Sequence, residues 1–567
     1  MFIKKINQIF TINTNHITKN QIIFWLSLSI TFAIIYSLML WQQIFSVEYI
    51  IQDDARQHVV WMQRFVDSQL FPNDLIADYF QSVSPIGYST VYKLMASIGI
   101  NPLLFSKILP MILSLITTVY CFLFTLKIFP IPFTAFLASV MLNQSLWMKN
   151  DIASGTSRGF IYLLLLAFFY YFFDKKLIPC IIVLICQSLF YPPTVLISAG
   201  LIFFDLIFNY LKTKKLDKFY IITLIVSILI LLPYQLQSST FAPTVSLEEA
   251  RNLATFYPEG RMSFFYDDNP IYFWLGASGP GMIANLSWMP IPNYLAILLP
   301  LFLYFKNKFT LIKEGKFQIF GKIILVSLGL FFLAHILIFT LYLPNRYTIH
   351  TFRIIIDISA AIVVSILINT SFNDFKRFKN NWQKKVLPLT ISLILITPTI
   401  LYPYLLETFP KGNYVQGNHS KTYEFFAQQP KDIMIASLAD EADNIPSFSA
   451  RSVLVSREYA VPFHNGYYLN KLLPKIIDTI AVQYTTDISQ LQEYIQKYNI
   501  NFWLIHKNAF NYEYLANNKW LQEFQPVTQN AENILKNNKI PTLKTFIKSC
   551  KVLEDKELIV INAKCIK

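Results

Sequence analysis

The sequence predicts an α-helical polytopic membrane protein of about 11 transmembrane helices with an exterior C-terminal α/β domain. Three observations carry that reading. Of 567 residues, 54% are hydrophobic and 16% aromatic, and the mean hydropathy is +0.42, well outside the soluble range. The 14% of charged residues cluster between apolar runs of about 20 residues, each long enough to cross a hydrocarbon core of roughly 30 Å. After residue 406 the apolar runs shrink to strand length and alternate with helical patterns, as in a small α/β domain.

The apolar segments follow in order near Ile22–Phe45, Pro102–Phe129, Ile131–Met148, Gly159–Phe173, Leu177–Tyr191, Pro192–Tyr210, Phe219–Leu236, Ile291–Phe305 and Phe320–Leu343. A tenth carries Arg353 and Asp357, and an eleventh spans Val386–Leu406. The first lacks a small-residue cleavage site after it and reads as a retained anchor. The net charge of +14 (48 minus 34) does not indicate nucleic acid. Its basic residues fall in alternate short loops: Lys175 and Lys176; Lys212, Lys214, Lys215 and Lys218; Lys306, Lys308, Lys313 and Lys316; Lys376, Arg377, Lys379, Lys384 and Lys385. That is the signature of cytoplasmic loops. Lys4, Lys5 and Lys19 put the N-terminus on the same side, so the expected setting is a multi-pass protein of the plasma (inner) membrane.

Residues 1–406 then form the membrane domain, with long outer loops at 46–101 and 237–289, and residues 407–567 form the exterior, periplasmic domain. Strands are expected at Ile433–Ala436, Ser452–Val455 and Phe502–Ile505, and a helix at Ile488–Tyr498. Cys550 and Cys565 flank an expected hairpin and are placed to meet in an oxidising compartment. Cys121, Cys180 and Cys186 lie in apolar runs as small core residues.

The acids sort by side. Asp53, Asp54, Asp151, Glu248, Glu249, Asp267 and Asp268 all project outward from three loops. Asp53 and Asp54 open a stretch to Phe71 in which Trp61, Met62, Phe65, Val66 and Leu70 share a helix face. The expectation is one amphipathic helix lying in the membrane interface, with Asp54 as its N-cap and Asp53 as the chemically active acid. Glu248 and Glu249 also suit the first turn of a helix starting at Ser246, and Asp267–Pro270 suits a turn. Arg346, His350 and Arg353, with Arg158 in the second outer loop, supply cations to grip a phosphate. Arg353 and Asp357, four residues apart, are expected to pair on one helix face. Transfer of a sugar from a lipid phosphate needs such a set: a carboxylate to deprotonate the acceptor and cations for the leaving group. Further acids, Asp151 and Glu248, would hold a divalent cation, Mg or Mn. There is no P-loop, no glycine-rich dinucleotide motif and no Cys/His metal spacing.

The arrangement resembles the GT-C superfamily of integral-membrane glycosyltransferases. The resemblance rests on Asp53-Asp54, the juxtamembrane stretch to Phe71, Pro85-Ile86-Gly87-Tyr88, Asp151, the turn Pro344-Asn345-Arg346-Tyr347 and the exterior C-terminal domain. It implies a GT-C-like membrane domain, a polyprenyl-phosphate-linked sugar as donor, and a glycan, lipid or protein acceptor on the outer face. It also implies inversion at the anomeric carbon, with Asp53 or Asp54 as base. The chain departs from the oligosaccharyltransferase catalytic subunit in lacking Trp-Trp-Asp, and has Ala153 where a second acid would follow Asp151. The alternative class is a lipid-linked glycan flippase or transporter, which calls for polar groups deep in several spans. Only His335, Asp357 and Asp205 qualify.

Overall fold

The computed structural model describes residues 18–236, 240–283, 289–307, 309–376 and 382–566. Lys4, Lys5, Lys308, Arg377 and Lys379, counted above among the cytoplasmic basic residues, lie outside them. Five segments are long and apolar enough to cross a membrane: Lys19–Phe45, Pro102–Ile128, Pro193–Thr213, Gln318–Ile336 and Pro344–Phe372. Shorter apolar helices, among them Leu177–Phe190 and Ile291–Tyr304, stand between them. The expected segments therefore fall on helical structure, although helix length alone does not carry a count of eleven crossings.

The centre of the helical part is the helix Ile349–Lys376, packed against Pro132–Trp147 and against Ile291–Leu298. Every residue of Pro132–Trp147 is buried, as an apolar run with no polar stripe requires. Its polar groups pair inward: Asn143 Nδ2 donates to Thr118 Oγ1 at 2.8 Å, and Ser145 Oγ to Asp357 Oδ1 at 3.0 Å. Asn293 Nδ2 also donates to Asp357, at 2.6 Å. Asp357 is thus held by neutral donors. Its expected partner Arg353 turns elsewhere, because a carboxylate outside its own helix lies closer.

The first outer loop also departs from expectation. Instead of one interfacial helix there is a short strand β1 (Ile50–Gln52), a six-residue helix (Asp53–His58) and a 3-10 turn (Val60–Phe65). The β-branched pair Val59-Val60 stands at the break, where crowding of the preceding turn weakens an α-helix. Val59, Val60, Trp61 and Met62 are 0–5% exposed. They are covered by the exterior chain, where Pro446, Val453 and Tyr459 share a cavity wall with Val60 and Trp61. Packing Trp61 and Met62 against protein removes their apolar area from water as lipid would, and adds close packing, while Val66 of the same expected face stays 57% exposed.

The C-terminal part holds a five-stranded sheet ordered β4-β3-β5-β7-β6, from β3 (Met434–Ser437), β4 (Ser452–Val453), β5 (Ile500–His506), β6 (Lys551–Asp555) and β7 (Leu558–Asn562). The first three run parallel and β7 joins β5 antiparallel. The expected strands, the helix Ile488–Tyr498 and the Cys550–Cys565 disulfide, with Cα atoms 5.6 Å apart, are all present. A further strand, β2 (Tyr414–Gln416), pairs antiparallel with β1, Ile51 opposite Val415. That ribbon ties the first outer loop to the chain entering the exterior sheet.

Candidate active site

The β1–β2 ribbon delivers the two adjacent acids. Asp53 N–H donates to Asn413 O at 3.0 Å, and the Gln52 side chain donates to Gly412 O and accepts from Ala55 N–H at 3.2 Å. Gln52 is therefore the helix cap. Asp54, expected in that role, is free of it, because the helix starts two residues earlier and Gln52 Oε1 accepts the Ala55 N–H.

The two carboxylates face different ways. Asp53 pairs with Arg56, a buried guanidinium that also reaches Glu458 Oε2 at 2.9 Å and Asn444 Oδ1 at 3.2 Å in the exterior part. Arg261 meets the same Glu458 oxygen at 3.1 Å. Asp53 thus belongs to a clasp between the first loop and the exterior chain. Asp54 points to the second outer loop, where it pairs with Arg158 and accepts from Asn150 Nδ2 at 2.8 Å. His58, one turn on, is pulled down to about 4 by burial, against the pull of Asp54, so it is a neutral imidazole at pH 7.

Below them Asp151 is buried. Arg353 Nη1 donates to its Oδ2 at 2.9 Å and Tyr162 OH donates to the same oxygen at 3.0 Å. His350 Nδ1 stands 3.0 Å from that hydroxyl. Burial by itself would raise the Asp151 carboxyl, but His350, Arg353, Arg158 and Arg346 around it hold it well below the usual carboxylate range. Several buried polar atoms here have no hydrogen-bond partner among the described residues: Arg346 Nε, His350 Nε2 and Tyr191 OH. Three guanidiniums (Arg158, Arg346, Arg353) face two carboxylates (Asp54, Asp151). An anion of phosphate type satisfies both the surplus positive charge and the unmet donors.

Backbone contacts hold the loops in register. Gly155 has φ +60, and a Cβ there would stand 2.5 Å from Ser106 O, so the second loop passes where only glycine fits. Tyr92 OH donates to Gly155 O at 2.6 Å, and Tyr414 OH to Ala153 O at 3.2 Å.

The structure brings Asp54, Asp151, Arg158, Arg346, His350 and Arg353 together, with Asp53 at the edge. It leaves Glu248 out. That residue is exposed on the helix Leu247–Arg251, whose cap is the reciprocal pair Ser246 and Glu249, and Asp267 is engaged by Arg251. The residues do not fit a divalent cation: Asp151 and Asp54 are each taken by a guanidinium. No group of three His, Cys, Asp or Glu side chains suited to a metal occurs among the described residues. The sequence reading passed over His58, Asn150 and Tyr162. Each had a signal: His58 four residues after Asp54 and Tyr162 four after Arg158, the spacing of one helix face, and Asn150 next in sequence to Asp151.

No protein-family model matches the chain, and no curated protein does. Among solved structures it is similar to the Archaeoglobus fulgidus oligosaccharyltransferase in the apo form, at TM-score 0.55 and 12% identity over 90% of this chain and 72% of that one. The same enzyme tethered to an acceptor peptide containing the NVT sequon matches at TM-score 0.50 and 14% identity, over 89% and 72%. ArnT from Cupriavidus metallidurans bound to undecaprenyl phosphate aligns at TM-score 0.44 and 9% identity, over 96% and 98%. The chain therefore shares the fold of that oligosaccharyltransferase.

Proposed function

We propose that this chain is an inverting glycosyltransferase of the plasma (inner) membrane, with its N-terminus cytoplasmic and residues 407–567 exterior to a membrane domain of residues 1–406. It moves a sugar from a polyprenyl-phosphate donor to an acceptor on the outer face. The observation that supports this best is the partly exposed Asp54 carboxylate (23%) set beside buried guanidinium, imidazole and phenol groups with unmet hydrogen bonds.

In this reading Asp54 takes the proton of the acceptor hydroxyl as its oxygen attacks the anomeric carbon. The bond from that carbon to the phosphate oxygen breaks, and the electron pair leaves on the polyprenyl phosphate. Arg346 and Arg158 stabilise the charge developing there, in a site drier than bulk water. His350 and Tyr162 orient the Asp151–Arg353 pair beneath. Neutral His58 adds no competing charge next to the base. The polar groups inside the apolar spans are engaged structurally, Asp205 by Lys322 at 2.6 Å and Asp357 by Ser145 and Asn293, which disfavours a transport pathway along them.

The test is Asp54→Asn in purified protein supplied with a polyprenyl-phosphate sugar. Transfer is expected to fall by roughly 10²–10⁴ while donor binding stays. Transfer at the wild-type rate sinks the assignment of the base.

A further inference from the structure

The exterior part carries a second cleft that the reading above does not use. It has a volume of about 520 Å³, within the roughly 300–1,000 Å³ of small-molecule sites. Its walls are short helices and turns around Asn511, Glu513, Tyr514, Asn517 and Trp520, with Arg457 opposite. Trp520 is 3% exposed and forms part of the floor. Tyr514 is stacked on His506, ring centroids 4.8 Å apart, which fixes the plane of its ring.

We propose that this cleft binds an uncharged, polyhydroxylated glycan, the part of the acceptor that lies away from the reacting hydroxyl. The proposal rests on the glycosyltransferase reading and names its acceptor class. Three features argue for it. The amides of Asn511 and Asn517 each offer donors and an acceptor, as vicinal hydroxyls require, and both residues are exposed at the cleft. The ionic groups balance, Asp440 and Glu513 against Arg457 and Lys519, so no net field selects a charged ligand. The partly exposed Tyr514 ring, held by its stack on His506, supplies an apolar surface against which sugar C–H groups pack. No strand edge lines the cleft, so it lacks the backbone ladder by which an extended peptide is captured.

Its position also fits. Arg457 precedes Glu458, the residue that grips Arg56 of the first loop, and Arg261 Nε donates to Arg457 O at 3.2 Å. The cleft therefore opens beside the clasp that holds Asp53, three residues from Arg56.

The experiment measures binding without catalysis, on full-length Asp54→Asn protein in lipid nanodiscs. The probes are chitohexaose and isomaltohexaose, with polygalacturonate as the charged control, read by saturation-transfer NMR. At least one neutral probe is expected to bind, polygalacturonate not, and Asn511→Ala with Asn517→Ala to weaken binding by about tenfold, the loss of two or so net hydrogen bonds. Both residues are exposed, so folding is unaffected. Glu513→Gln serves as an independent second variant, expected to weaken binding by a few fold. No binding of either neutral probe, preferential binding of polygalacturonate, or unchanged binding in both variants overturns the proposal. Because no transfer is measured, that failure is separate from a failure of Asp54 as base.

Discussion

Arg353 Nη1 and Asp151 Oδ2 lie 2.9 Å apart, both side chains at most 8% exposed. The two residues are 202 positions apart in sequence. Their pair joins the second outer loop to the outer end of the central helix, and it sets the floor of the site. Removing one partner of such a pair leaves a buried charge uncompensated, at a cost of about 3–5 kcal/mol, whereas replacing both by apolar residues is close to neutral. Asp151→Asn is therefore expected to lower thermal stability in detergent by that order. Asp151→Leu combined with Arg353→Met is expected to recover most of it. Equal losses in the single and double variants would contradict the pairing.

Asp53 and Asp54 are adjacent but have different tasks, so their substitutions are expected to separate. Asp53→Asn weakens one arm of the Arg56 clasp and is expected to cost transfer less than tenfold, while Asp54→Asn removes the base, a loss of roughly 10²–10⁴. Steady-state transfer rates of the two variants measure the difference, and equal losses would return the catalytic role to the pair as a unit.

Arg346 brings a buried Nε without a partner to the site. A hydrogen bond to a charged group contributes about 1.5–3 kcal/mol. Arg346→Gln is expected to raise the KM for the polyprenyl donor by about one to two orders of magnitude, with stability unchanged. Donor titration in nanodiscs checks this.

Glu458 makes the clasp sensitive to pH. Burial pushes its carboxyl up to about 7, with Arg261 and Arg56 opposing and Asp53 and Asp443 reinforcing. A carboxyl raised in the folded state binds its proton more tightly there than in the unfolded chain. Its contribution is complete below the ordinary glutamate value and is lost as pH rises through about 7, an effect of order 3 kcal/mol. The unfolding midpoint is expected to fall between pH 5 and 8.5, and Glu458→Gln to flatten that fall. A midpoint that rises over this interval would reverse the sign.

The Cys550–Cys565 disulfide closes a loop of sequence separation 15. Such a loop stabilises by about 3 kcal/mol in the chain-entropy account. Cys565→Ser is expected to destabilise the exterior part by up to that amount, with chemical denaturation of the oxidised and reduced protein as the comparison.

Much of the fold was legible in the chain, and for definite reasons. The segments Pro102–Phe129 and Leu177–Tyr191 were placed within a residue or two of the helices observed, because a long apolar run in a membrane has few other ways to satisfy its backbone. The strands around Ile435, Val453 and Trp503 were legible from short β-branched and aromatic runs. The stretch after Asp53 was misread. Its 3.6-residue spacing reports only which residues are apolar, and Trp61 and Met62 of that set pack on protein while Val66 stays exposed. The Asp54 cap is not formed because the helix begins at Asp53, two residues earlier than that cap requires, with Gln52 accepting the Ala55 N–H.

Local pattern, then, accounts for the long apolar helices and the small C-terminal sheet, since each follows from period and length over some 20 residues. The pairing of those acids is another matter. Asp54 meets Asn150 and Arg158 across 96 and 104 residues, and Arg56 meets Glu458 across 402. Opposite charges exert no selective pull over such lengths of unfolded chain in salt. They find one another only after helix packing and the β1–β2 ribbon have brought three outer loops to one mouth.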